Sequence, residues 1–87
     1  MEEKKEEAKV YLAVKGKPKI GERKVFNLIL PLKLAEAVDA HTAGVRNTIF
    51  SVLIAKGLDS IEEESSRKKQ TVTIDAEELL KSLKYIT

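Results

Sequence analysis

The chain has 87 residues and a net charge of +2, enough length for one modest core and too little net charge to announce a nucleic-acid partner by itself. It contains no cysteine, which removes disulfides, thiolate metal sites and thiol catalysis. No apolar run approaches membrane-spanning length and no apolar leader follows Met1, so a soluble cytoplasmic protein with no membrane partner is expected. Glu and Lys are abundant while amides are confined to Asn27, Asn47 and Gln70, a balance found in proteins from hot environments.

From the start, Met1 to Lys9 alternates Glu and Lys and predicts a frayed helix or a disordered arm. Val10 to Lys15 alternates, with Val10, Leu12 and Val14 on one side, and predicts a strand. Gly16, Pro18 and Gly21 then turn the chain, so this strand is expected to pair back on the next one or to lie against another subunit. Residues 1–23 are thus a charged arm with a short strand and a basic loop.

Residues 24–58 are the centre of the chain. Val25 to Leu30 is a β-branched and aromatic run, ended by Pro31, whose fixed φ suits the first turn of a helix. Leu34, Ala37, Val38 and His41 then share a helical face until Gly44, where a left-handed turn can stop the helix. Asn47 is a suitable N-cap for a second helix, in which Phe50, Leu53, Ile54 and Leu58 recur at steps of three and four before Gly57 closes the pattern.

Residues 59–70 predict an acidic, polar extension of the second helix fading into a linker, with Ile61 its only large apolar residue. Residues 71–87 predict a strand at Thr71 to Ile74 and a helix opened by the capping pair Asp75 and Glu78. Its apolar stripe of Leu79, Leu83 and Ile86 is expected to dock on the domain and enlarge the core; the alternative is a protein partner.

A strand and two short helices cannot stand alone, because one strand has no ladder partner. A two-fold dimer is the simple solution, its two strands pairing as an antiparallel ribbon over four helices. The order of elements, the FNLxxP run at Phe26 to Pro31 and the RNTIFSVLIAKGL run at Arg46 to Leu58 resemble the ribbon-helix-helix family of Arc- and MetJ-like repressors. The first helix and its turn are about one helical turn shorter than the family's.

The resemblance implies an α+β ribbon-helix-helix dimer, here with an added N-terminal strand and a C-terminal strand-helix extension. It also implies a sequence-specific transcriptional repressor of double-stranded DNA whose ribbon enters the major groove. Ribbon-helix-helix antitoxins are similar in layout, so the alternative is an interaction module whose C-terminal helix takes a protein partner, with or without DNA binding.

The two faces of the strand divide the candidate residues. Phe26, Leu28 and Leu30 are the greasier set and are expected in the dimer core with Val38, Phe50, Leu53 and Ile54. Val25, Asn27 and Ile29 then face outward as base contacts, the Asn27 amide suited to adenine and the apolar pair to thymine methyls. Val25 and Ile29 also fit a face covered by the Val10 strand.

Charge is unevenly placed: residues 10–24 carry +4, through Lys15, Lys17, Lys19, Arg23 and Lys24 against Glu22, while residues 59–66 carry −4. Arg23 and Lys24 are expected phosphate contacts, as are Arg46, Asn47 and Thr48 at a helix N-terminus, where open N–H groups favour an anion. His41, the one histidine, predicts a core or turn residue. No phosphate loop, paired-His metal motif or nucleophile motif is present, so no catalytic residue, metal or cofactor is expected.

Overall fold

The computed structural model describes residues 9–87, so the arm predicted at 1–9 lies, apart from Lys9, outside the described residues. In chain order the elements are β1 (Leu12–Ala13), α1 (Leu32–His41), β2 (Thr42–Ala43), α2 (Arg46–Lys68) and α3 (Ala76–Ser82). Among the described residues the result is a small α+β arrangement of three helices and a two-stranded parallel sheet.

Pro31 sits at the N-terminus of α1 with φ −56°, and its carbonyl accepts from the Ala35 N–H at 3.0 Å. The helix ends at His41, before the predicted stop at Gly44. Thr42 is the reason. This β-branched residue turns extended, at φ −127° and ψ 154°, while its N–H and its hydroxyl both donate to the Val38 carbonyl, the hydroxyl at 2.7 Å.

Leaving the helix early turns Thr42 and Ala43 into β2. Its parallel partner is β1, with Leu12 opposite Thr42 and Ala13 opposite Ala43. The ladder is extended by Tyr11 N–H donating to the His41 carbonyl at 2.7 Å and Val14 N–H donating to Ala43 at 2.8 Å. The first strand therefore pairs neither with Val25 to Leu30 nor, through this edge, with another subunit; it takes the carbonyls released where α1 ends.

Gly44 makes this crossing possible. Its φ is +136°, and a Cβ there would stand 2.7 Å from the Val14 carbonyl oxygen. His41 is a turn histidine, stacked on Tyr11 with ring centroids 4.2 Å apart and its Nδ1 2.6 Å from the Lys9 carbonyl.

Helix α2 departs from expectation at its start and outruns it at its end. Val45, at φ −75° and ψ 132°, holds the N-cap position without a side-chain bond, so Asn47 is the second helical residue and not the cap. At the other end the helix runs through Gly57, and the expected helical extension continues without fading to Lys68. One glycine costs a helix only ~1 kcal/mol, and the following Glu, Arg and Lys residues are good helix formers. Lys68 bridges Glu64 at 3.1 Å one turn away, and Arg67 and Lys68 suit the negative end of the helix dipole.

The chain turns at Lys69, at φ +55°, where Gln70 N–H returns to the Ser65 carbonyl and the Ser65 hydroxyl donates to the Gln70 carbonyl at 2.7 Å. Thr71 to Ile74, predicted as a strand, is irregular because no sheet edge lies beside it to complete a ladder. The Asp75 carboxylate accepts from Glu78 N–H at 3.1 Å, which starts α3 at the predicted cap. Lys84, at φ +66°, closes the helix, with Tyr85 N–H donating to the Leu80 carbonyl at 2.9 Å.

The core within the described chain is small. Ile49, 5% exposed, is the one buried hydrophobic residue among the described residues. It was not among the predicted core positions. Of those, Leu30, Val38 and Phe50 are half-buried, whereas Phe26, Leu28, Leu53 and Ile54 are exposed in the single chain. Of the tail stripe, Leu79 and Leu83 are exposed and Ile86 is half-buried. The radius of gyration is 16.0 Å, against about 12 Å for a compact domain of this length.

Candidate nucleic-acid interface

Three segments carry the predicted site, and the fold holds each differently. The basic loop leaves β1 at Val14, pinned by its bond to Ala43, and presents Lys15, Lys17, Lys19, Arg23 and Lys24 to solvent. Its last residue, Lys24, places Nζ 5.5 Å from the centre of the Phe26 ring, a cation–π distance. Loop charge and the first aromatic of the next segment are thereby joined.

That segment, Val25 to Leu30, forms no ladder, and none of the interelement backbone hydrogen bonds among the described residues reaches it. Its side chains nonetheless alternate. Leu28 and Leu30 line one hollow with Ala35, Val38 and Phe50, while Ile29 between them is 96% exposed. Val25 is 85% exposed and Asn27 is also open to solvent, so Val25, Asn27 and Ile29 are not covered by β1. Phe26 lies on the Leu28 side by alternation yet is 73% exposed, with the Lys24 ammonium over its ring.

The third segment is the start of α2. Ile49 N–H makes a backbone bond to the Val45 carbonyl at 2.8 Å, and the N–H groups of Arg46, Asn47 and Thr48 precede it in the first turn, where a helix has no carbonyl of its own to offer. Arg46 Nη2 donates to Asp39 Oδ1 at 3.1 Å, across the turn from α1. Both side chains are well exposed, so the pair holds Arg46 only weakly. Asp39 was not a predicted site residue; it stands seven positions before Arg46, and no helical spacing rule links residues across a β-bridged turn.

The structure brings Leu28, Leu30, Asp39 and Arg46 to one hollow. The strand segment and the head of α2 are therefore neighbours. Arg23 and Lys24 stay upstream beside Phe26. No family model, curated protein or solved structure matches the chain.

Charge separates along the molecule in the same sense. Asp59, Glu62, Glu63 and Ser66 line one shallow surface of the distal half of α2, remote in sequence from the basic loop. Among the described residues no helix is long and apolar enough to cross a membrane, and no group of three or more acidic or histidine side chains is placed to hold a metal.

Proposed function

We propose that the chain is a sequence-specific DNA-binding regulator, a repressor acting as a ribbon-helix-helix homodimer. The observation that carries this reading is the state of Val25 to Leu30: a β-branched and aromatic run with sheet-like alternation, almost fully exposed outward, and without a ladder partner among the described residues. A second copy of the same run, paired antiparallel across a two-fold axis, satisfies its backbone groups and covers Phe26 and Leu28. Val25, Asn27 and Ile29 of both copies then form one outward face narrow enough for the major groove.

The charged groups support the same docking. A dimer doubles the basic loop beside the ribbon, and the open N–H groups of Arg46, Asn47 and Thr48 suit a DNA phosphate on either flank. Arg46 must then leave or share Asp39 when a phosphate arrives. A second reading, a protein-interaction module or antitoxin working through the C-terminal helix, is favoured by the exposure of Leu79 and Leu83.

Sedimentation equilibrium combined with selection from a random duplex DNA pool tests the proposal. The expected result is a dimer at micromolar concentration, an enriched DNA sequence, and affinity that falls steeply with salt. A stably folded monomer, or a dimer without measurable DNA affinity, would overturn it.

A further inference from the structure

The fold fixes where the basic loop begins. Val14 N–H donates to the Ala43 carbonyl at 2.8 Å, and a Cβ on Gly44 would stand 2.7 Å from the Val14 carbonyl oxygen, so the peptide that joins Val14 to Lys15 lies against Gly44. Arg46, the first residue of α2, follows Gly44 by two positions. The pairing of β1 with β2 thereby roots the loop beside the head of α2, while its other end runs directly into Val25 to Leu30. One loop joins the two surfaces already described.

Its charge is concentrated and open. Lys15, Lys17 and Lys19 fall at alternate positions, all three are exposed, and none enters an ion pair among the described residues. The one acid of the loop, Glu22, comes after them, followed at once by Arg23 and Lys24. Cations gathered beside Arg46 and the positive end of a helix repel one another, and an anion relieves that repulsion. No interelement backbone hydrogen bond among the described residues reaches residues 15–24, and Pro18 has no N–H to offer, so the segment is committed to no ladder and can follow a neighbouring surface. Residues two apart stand up to about 7 Å from each other in a stretched chain, close to the step between successive phosphates of one DNA strand.

We propose that Lys15, Lys17 and Lys19 grip the sugar–phosphate backbone of duplex DNA outside the base pairs that the ribbon reads, continuing the path of phosphates that starts at the head of α2. The partner is a strand of DNA and not a small anion because the cations are strung along the chain, which suits a line of charges. The contact lengthens the footprint and carries no sequence preference of its own. It rests on the DNA-binding reading above.

The test uses the full-length chain and the duplex selected from the random pool. Ethylation of single phosphates is expected to block the wild type at positions beyond the selected base pairs, and the Lys15→Gln/Lys17→Gln/Lys19→Gln variant is expected to lose that pattern while keeping its preference for the selected sequence. A dimer of the variant lacks six cations, so the slope of log affinity against log salt should become shallower by about 3 to 5. A control with the same charge change at the far end of the chain, Lys69→Gln/Lys81→Gln/Lys84→Gln, should move the slope by about 1 or less. Phosphate interference confined to the selected base pairs, an unchanged slope in the loop variant, or an equal change in the control would overturn the inference and leave the ribbon reading standing. A wild type without DNA affinity would remove both.

Discussion

The two ends of α2 belong to one unbroken helix and have opposite surroundings. At the head, Ile49 is sealed by the turn that Gly44, β1 and β2 build around it; past Phe50, the large apolar residues Ile54, Leu58 and Ile61 remain in water. The first end is a folded core in miniature, and the second has the composition of a core without the neighbours. Burial among the described residues is therefore concentrated at the head of α2, and mutations should sort by which end of the helix they change.

The largest expected effect is on the self-made end. Ile49→Ala should lower stability by ~2–5 kcal/mol, while Leu58→Ala should leave the unfolding of the single chain nearly unchanged and act only on association. Thermal melts over a range of protein concentrations separate the two. Equal losses at high dilution would erase the contrast between the two ends of α2.

Next comes Phe26, exposed in the chain and central to the proposed ribbon. Phe26→Ala should cost ~3–5 kcal/mol, and the cost should fall on dimerisation, with helix content measured by circular dichroism retained in the dissociated chain at low temperature. A variant that dimerises as tightly as the wild type would mean that the strand buries its other face.

Asn27→Ala sharpens the same division from the outer side. It should leave melting and association unchanged while costing ~1–3 kcal/mol of specific DNA affinity, with preference relaxed at one base pair per half-site. Wild-type affinity for the selected DNA sequence would remove Asn27 from the base-contacting set.

At the head of α2 the Asp39–Arg46 pair predicts two changes of opposite sign. Arg46→Ala should weaken binding to all DNA sequences and reduce the salt slope by about 1. Asp39→Ala, which frees the guanidinium and removes a negative charge, should strengthen binding by about twofold to tenfold. If Asp39→Ala weakens binding, the pair orients Arg46 instead of competing for it.

The smallest effect is diagnostic through its sign. A Cβ at Gly57 meets nothing within 4 Å in the single chain, so Gly57→Ala should stabilise α2 by ~0.5–1 kcal/mol. Destabilisation of the dimer by the same change would locate a close helix approach at Gly57, on the side that the chain leaves open.

Much of the local structure was legible because it is decided by neighbours in sequence. Pro31 marked the start of α1, Asp75 and Glu78 the start of α3, and the alternation of Leu28, Ile29 and Leu30 the two faces of their segment. These features depend on φ restriction, on a side chain reaching a nearby N–H, and on a period of two.

What the amino-acid order could not decide lies where two remote segments compete for the same groups. Asn47 is as good a cap as Val45 is poor, yet α2 starts at Arg46, where the chain emerges from the β-bridged turn. Gly44 was legible as a turn glycine, but only the folded chain supplies the Val14 carbonyl that excludes any Cβ there. Ile49 sits beside Phe50 in a helix with apolar residues on several sides, and periodicity alone does not say which side meets β1. The pairing of β1 with β2 determines that, because a backbone ladder specifies its partner only once two distant stretches have been brought edge to edge.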